Sequence, residues 1–317
     1  MTFLFLKQIY IEKALPVKRV DKYEHNRGEE MYKKLGIAII HGMGNQKQDF
    51  ADEMVVLIKN KFARKLEYIV SDPSSYLVFQ PIQWSSVFEE REEKLYKSVV
   101  LANDLDFKGL RKFTIQYVGD VIAYQQVETS RQNYERVHEL IGKHLNTIST
   151  KAGDDVPLCV VSHSLGSVIA SNYFYDLQFK RNSVSSIVNE SSPLEKGHTL
   201  TLFYSLGTAL PLWSLRYHNF NRPINIPSRE LQQYYPGLKG EWINFYDKDD
   251  VLGFPLRDVD QTYHDAVTED REVNIGGLLT SWNPFCHTGY FKDMVVIEEI
   301  VDGLVRVWKQ VNHIEKN

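Results

Sequence analysis

The stretch VVSHSLGSVIA, residues 160–170, joins an apolar run typical of a buried strand to a pattern typical of a helix. Ser164 then lies at the tip of a sharp strand-to-helix turn. Ser162 and Gly166 are the small residues that such a turn needs, because neighbouring chain passes close to it. The turn directs the Ser164 hydroxyl above the sheet, beside the positive end of the helix. Ser164 is therefore a candidate nucleophile; a serine in a tight turn without chemistry is the alternative.

Apolar runs and helical patterns alternate along the rest of the chain. The sequence predicts strands over 35–40, 76–84, 158–161, 184–188 and 242–246, and helices over 50–66, 87–100, 107–146, 168–178 and 292–311. This alternation predicts an α/β fold, with a mostly parallel central sheet and helices on both of its faces. We expect residues 1–34, which are rich in charge, to form an N-terminal extension, and residues 35–311 to form one domain.

The composition argues against several classes of protein. The 317 residues carry 37 basic and 41 acidic side chains, and this mild acidity argues against a nucleic-acid partner, which needs clustered positive charge. Two cysteines are too few for a disulfide framework or a cysteine-rich metal site. The apolar start of the chain is interrupted at Lys7 and lacks the cleavage site of a secretory signal, so we expect a cytoplasmic protein.

The stretch HGMGN, residues 41–45, follows the first predicted strand directly. Its glycines can turn backbone amides towards the space above the sheet, where an oxyanion would need donors. The expected donors are the backbone N–H groups of Met43 and Leu165. A glycine turn that only connects strand to helix, or a weak phosphate loop, is the alternative. The dinucleotide pattern G-x-G-x-x-G is absent, because Lys47 stands where its third glycine would be.

Three aspartates follow the strand predicted over 242–246, at positions 247, 249 and 250. An acid at the end of a late strand can orient a histidine and stabilise its cationic form. Asp250 fits this role best, because apolar residues follow it; Asp249 is the second candidate, and Asp247 suits a turn cap. A solvated acidic loop or a calcium site is the alternative, although the EF-hand register is absent.

His287 is the candidate base among the ten histidines of the chain. It alone lies after the acid and directly before the last predicted helix, whereas His41 and His163 lie inside the two turns already described. The order Ser164, Asp250, His287 is the nucleophile–acid–base order of one class of triad enzymes. The neighbouring Cys286 is interpreted as a packing residue rather than a nucleophile.

These motifs resemble the α/β-hydrolase family, in particular its lipase and esterase branch, from about Leu35 to about Val311. The resemblance rests on HGMG at 41–44, SHSLG at 162–166, ESSPL at 190–194, YDKDD at 246–250 and HTGY at 287–290. It implies the same roles: a serine nucleophile, a histidine base, an aspartate acid and an amide oxyanion hole, with no metal or organic cofactor. The chain departs from the family at Ser162, where glycine is usual, and in its tripled aspartate.

Residues 195–240 fall between two predicted core strands, where this family often inserts a cap. The first part of this segment is apolar and aromatic. One interpretation is a lid that lines an acyl pocket or makes peripheral contact with a lipid membrane, with Leu212 and Trp213 as substrate-binding residues. The other interpretation is an internal helix that packs on the sheet.

The leading hypothesis is a serine hydrolase that cleaves a small-molecule or lipid carboxylic ester through an acyl-enzyme. A non-catalytic relative that binds a partner through residues 195–240 is the alternative from another class. An amidase or a thioesterase with the same triad is a third interpretation, because the fold alone does not separate these activities.

Overall fold

A parallel sheet of six strands organises the protein. The computed structural model describes residues 32–44, 46–125, 132–180, 188–216, 220–275 and 286–314. The strands are β1 (Leu35–Ile40), β2 (Leu77–Ile82), β3 (Leu158–His163), β4 (Leu200–Leu206), β5 (Glu241–Tyr246) and β6 (Glu269–Glu272). Their order across the sheet is β2-β1-β3-β4-β5-β6, and every neighbouring pair is parallel. The predicted α/β class with a parallel central sheet is confirmed.

Helices cover both faces of this sheet. They are α1 (Asp52–Leu66), α2 (Glu89–Leu95), α3 (Lys108–Tyr124), α4 (Gln132–Ala152), α5 (Leu165–Phe179), α6 (Leu210–Trp213), α7 (Leu231–Tyr234), α8 (Gln261–Ala266) and α9 (Met294–Val311). Helices α1 and α9 pack on one face, and α4 and α5 contribute to the core on the other. None of the helices in the described ranges is both long and apolar enough to cross a bilayer.

The strands at the centre of the sheet are apolar on both faces. Along β1, Ile37 and Ile39 enter the core beside α1 and α9, while Ala38 and Ile40 enter the opposite core. This alternation follows from the period of two in a strand. Every residue of β1, β3 and β4 is buried, because helices cover both sides.

The edge strand β6 is different, with the sequence EDRE and largely half-buried side chains. It has no apolar alternation, and for that reason the sequence did not predict it. Asp270 ties the strand to the preceding loop by accepting hydrogen bonds from the backbone N–H groups of Leu256 and Arg257. The strand predicted over 184–188 lies outside the described residues except for its last position, as does the N-terminal extension up to residue 31.

The segment 195–240 is not one cap inserted between core strands, because it contains a central strand of its own. Strand β4 pairs with both β3 and β5 and has no exposed surface available for a lid or a lipid contact. Its polar side chains are satisfied internally: Ser205 Oγ donates to Asn244 Oδ1 (2.8 Å), and Thr201 Oγ1 donates to the Thr199 carbonyl (2.8 Å). Residues 200–206 are therefore internal, but the predicted internal helix is wrong, because they form a strand of the sheet itself.

The two residues proposed to bind substrate, Leu212 and Trp213, differ in their surroundings. Trp213 is only 7% exposed and belongs to the core cluster that contains α5, whereas Leu212 is 44% exposed. Trp213 therefore packs in this core, and its role as a substrate contact stays a prediction. Leu212 stays a prediction as a substrate contact.

We expect Trp213→Ala to lower the free energy of unfolding by about 3–5 kcal/mol, because it leaves a cavity in the core. Leu212→Ala is the matched control on the same helix and should cost less than about 1 kcal/mol. Urea unfolding of both variants measures the difference. Equal losses of stability in the two variants would contradict the prediction that Trp213 contributes more to core packing than Leu212 does.

Candidate active site

Ser164 lies at a strained turn between β3 and α5. Its backbone angles are φ 52° and ψ −125°, a conformation that residues other than glycine rarely adopt. A Cβ at Gly166 would lie 2.2 Å from the His41 carbonyl oxygen, so only glycine fits where β1 ends against the start of α5. Ser162 is accommodated in place of the family's glycine: its hydroxyl donates to the Tyr204 carbonyl at 3.3 Å.

The HGMG loop (residues 41–44) runs directly beside this turn. A Cβ at Gly42 would lie 2.8 Å from the Cβ of Ser164 and 2.8 Å from Nδ1 of His163. Met43 adjoins Gly42 in this loop. Leu165 is the first residue of α5, where the backbone N–H groups have no acceptor within the helix. The structure therefore brings both predicted donor residues next to Ser164.

Asp250, rather than Asp249, contacts the predicted base. His287 Nδ1 lies 2.7 Å from Asp250 Oδ2, and both side chains are almost completely buried. Asp249 is exposed, and its backbone N–H donates to Asp247 Oδ1 at 2.8 Å. Asp247 thus caps the turn after β5. Asp250 is the aspartate whose carboxylate faces the imidazole of His287.

Two further donors hold the Asp250 carboxylate. The Tyr290 hydroxyl donates to Oδ2 at 2.9 Å, and the Leu252 backbone N–H donates to Oδ1 at 3.0 Å. Burial by itself would raise the pKa of Asp250, but the hydrogen bond and the charge of His287, together with these donors, lower that pKa below its ordinary value. Asp250 is therefore ionised at neutral pH. Sequence reasoning assigned no role to Tyr290, although its motif, HTGY, also supplies His287.

Ser164 Oγ and His287 Nε2 are both buried and have no hydrogen-bond partner within the described ranges of the chain. Since His287 Nδ1 faces Asp250, its Nε2 carries the lone pair and can accept a proton. His163, adjacent to Ser164 in the chain, donates from Nε2 to the His287 carbonyl at 2.6 Å, and the two rings are 4.6 Å apart. This hydrogen bond links the backbone of His287 to the turn that carries Ser164.

The other two histidines of the site are neutral scaffold groups. Burial lowers the pKa of His163 to about 3 and that of His41 to about 4. His41 Nδ1 donates to the Gly42 carbonyl at 2.6 Å, and its ring stacks on Trp84. Among the side chains that the structure describes, there is no group of three or more His, Cys, Asp or Glu that could hold a metal ion.

The strand order and the placement of the site residues define an α/β-hydrolase fold. The HGMG loop follows β1, Ser164 follows β3, Asp250 follows β5 and His287 follows β6. The resemblance seen in the sequence is therefore confirmed for the fold.

No family model and no curated protein matches this chain. Among solved structures, it is similar to a dienelactone hydrolase from Anabaena variabilis, with 10% identity, a TM-score of 0.39 and 88% and 87% of the two chains covered. It is also similar to esterase B from Lactobacillus rhamnosis (11%, 0.42, 90% and 81%) and to the esterase domain of a Rhodothermus marinus protein (10%, 0.33, 87% and 90%). At TM-scores this low, the assignment of the fold depends on the strand order and on the site geometry.

Gly166→Ala tests the close approach between β1 and α5. We expect it to lower the free energy of unfolding by about 3 kcal/mol, because the new methyl group meets backbone that cannot move aside. Gly109→Ala, in the open first turn of α3 where a Cβ meets nothing within 4 Å, should be neutral or stabilise by up to about 1 kcal/mol. Urea unfolding compares the two; similar stability would contradict the predicted close contact.

Proposed function

We propose that this protein is a serine hydrolase that cleaves carboxylic esters. The observation that carries the proposal is the pairing of His287 with Asp250 beside the strained turn of Ser164. Ser164 Oγ and His287 Nε2 are both buried, and neither has a hydrogen-bond partner among the residues that the structure describes. A serine and a histidine that serve only packing have no need of such a carboxylate or of the backbone strain.

In the first half of the reaction, Ser164 Oγ transfers its proton to His287 Nε2 and attacks the ester carbonyl carbon. The carbonyl oxygen becomes an anion, and the backbone N–H groups of Met43 and Leu165 donate hydrogen bonds to it. Asp250 stabilises the imidazolium. The C–O bond to the alcohol then breaks, and the imidazolium returns its proton to the leaving oxygen, which releases the alcohol.

In the second half, water replaces the alcohol. His287 removes one proton from the water, and the hydroxyl oxygen attacks the acyl-enzyme carbonyl through a second anionic intermediate. When this intermediate collapses, Ser164 Oγ leaves and recovers its proton from His287, and the carboxylic acid is released. A thioester or an amide would follow the same steps, so the comparison of substrates decides among these activities.

Ser164→Ala should abolish covalent labelling by a fluorophosphonate probe, because it removes the attacking oxygen while leaving a side chain that fits. Ser162→Ala is the matched control in the same turn and should be labelled like the wild type. Mass spectrometry of the labelled peptide locates the adduct. Equal labelling of wild type and Ser164→Ala would refute the nucleophile, and an unlabelled wild type would favour a non-catalytic binding protein.

Asp250→Asn should lower kcat by a factor on the order of 10⁴, because the amide supplies no negative charge and favours the wrong imidazole tautomer. Asp249→Asn, the exposed neighbour, should change kcat less than about twofold. Steady-state hydrolysis of a p-nitrophenyl ester measures both variants. A larger loss in Asp249→Asn would identify that residue as the acid.

A further inference from the structure

Helix α3 holds the last residue of the HGMG loop. The backbone N–H of Gly44 donates to Asp120 Oδ2 at 2.8 Å, and the Asp120 side chain is fully buried. Gly44 has φ 88°, and a Cβ there would lie 2.8 Å from the Tyr117 ring. Met43 precedes Gly44 in the chain, and its backbone N–H is a predicted donor to the oxyanion. The position of that amide therefore depends on a side chain from a helix outside the triad.

Glu92 of α2 lies beside Asp120: a Cβ at Gly119, the preceding residue, would be 3.5 Å from Glu92 Oε1, and the charges of the two carboxyl groups interact. Two ionised carboxylates have no hydrogen to donate, so a hydrogen bond between them forms only while the pair holds a proton. Glu92 Oε1 and Asp120 Oδ1 are buried oxygens, and no donor reaches either of them from the described part of the chain. With the proton on Glu92, its hydroxyl donates to Asp120, and Asp120 keeps its charge for the amide of Gly44.

We propose that the carboxyl pair Asp120–Glu92 positions the HGMG loop for catalysis, and that it does so only while the two side chains share a proton. The proposal rests on the function proposed above. Neither carboxyl group touches the substrate. Both are positioning residues that act through the backbone of Gly44 on the neighbouring oxyanion donor.

The surroundings favour a proton that remains bound at neutral pH and is lost under mildly alkaline conditions. Burial, followed by the charge of Asp120, raises the pKa of Glu92 to about 8, and burial raises the pKa of Asp120 to about 6. The other ionisable groups that face the pair, or line the cavity beside Glu92, are Glu89, Glu90, Arg91, Glu93, Tyr96, Lys112 and Tyr117. Glu89 adds to the rise at Glu92, and Arg91 opposes it.

The sign of the pH effect follows from these raised pKa values. The folded protein holds a proton on the pair that an unfolded chain would have lost, so the positioning contact is present below pH 8 and is lost as the pH rises through about 8. Above that pH, two adjacent carboxylates repel each other. Asp120 is then displaced from Gly44, and the loop loses its anchor.

The experiment measures kcat and KM for a p-nitrophenyl ester from pH 6 to pH 10. For the wild type, kcat should fall about tenfold between pH 7 and pH 9, as the pair loses its proton, with little change in KM. In Glu92→Gln the amide donates permanently to Asp120, so this alkaline decline should disappear. Glu93→Gln, the neighbour paired with Lys97 and Lys112, is the matched control and should keep the wild-type profile.

The second part of the experiment uses variants of Asp120. Asp120→Ala removes the acceptor for Gly44 and should lower kcat at pH 7 by about 10- to 100-fold with little effect on KM. Asp120→Asn keeps an oxygen that accepts from Gly44 and should recover most of this loss. Melting temperatures of all variants separate positioning from unfolding, and if Asp120→Ala fails to fold, the profiles of Glu92→Gln and Asp120→Asn decide.

An alkaline decline that persists unchanged in Glu92→Gln overturns the proposal, as does an equal loss of kcat in folded Asp120→Asn and Asp120→Ala. Either result, obtained with a wild type that is labelled at Ser164, leaves the proposed hydrolase intact. A wild type that is not labelled at Ser164 overturns the proposed function, and the positioning role fails with it.

Discussion

The site depends on one close backbone approach, where the end of β1 meets the first turn of α5. A side chain of any size at Gly166 would collide with the His41 carbonyl, so this glycine sets how near the HGMG loop can come to Ser164. The parallel sheet brings the other site residues together, because the carboxyl ends of all its strands lie at one edge. Ser164, Asp250 and His287 each follow a different strand, and the sheet brings together Ser164 and His287, which are 123 positions apart.

The environment of His287 distinguishes it from the two other histidines at this edge. All three are buried, but His41 and His163 face backbone carbonyls and stay neutral, since burial penalises their charge. His287 alone has a carboxylate against its ring, and that carboxylate is kept ionised by donors of its own. The carboxylate of Asp250 therefore orients one imidazole of the cluster, and the Nε2 of that imidazole has no hydrogen-bond partner in the described part of the chain.

The sequence could predict the strands whose apolar runs are bounded by turns, and it could predict the turn residues whose chemistry is local. It could not identify β4, because the threonine and serine side chains of LTLFYSL find their partners only inside the folded sheet. The charged edge strand β6 carries no apolar signal at all. Tyr290 and Asp120 escaped notice for a related reason: each acts on a residue 40 or 76 positions away, and no local pattern indicates such a contact.

Two side chains hold the HGMG loop beside the buried Ser164: Trp84 Nε1 donates to the His41 carbonyl, and Asp120 accepts from the Gly44 backbone N–H. Ser164 has no exposed surface, so in the proposed reaction an ester would reach Oγ only when groups above the turn move. The strand and helix that flank Ser164 are fixed by packing and by the hydrogen bond from its N–H to the Leu206 carbonyl at 3.0 Å. Met43 is only half-buried and lies on a loop. In the proposed reaction, a loop held at His41 and at Gly44 can let Met43 between them yield to the substrate and then return its amide to the oxyanion, whereas a residue within β1 could not.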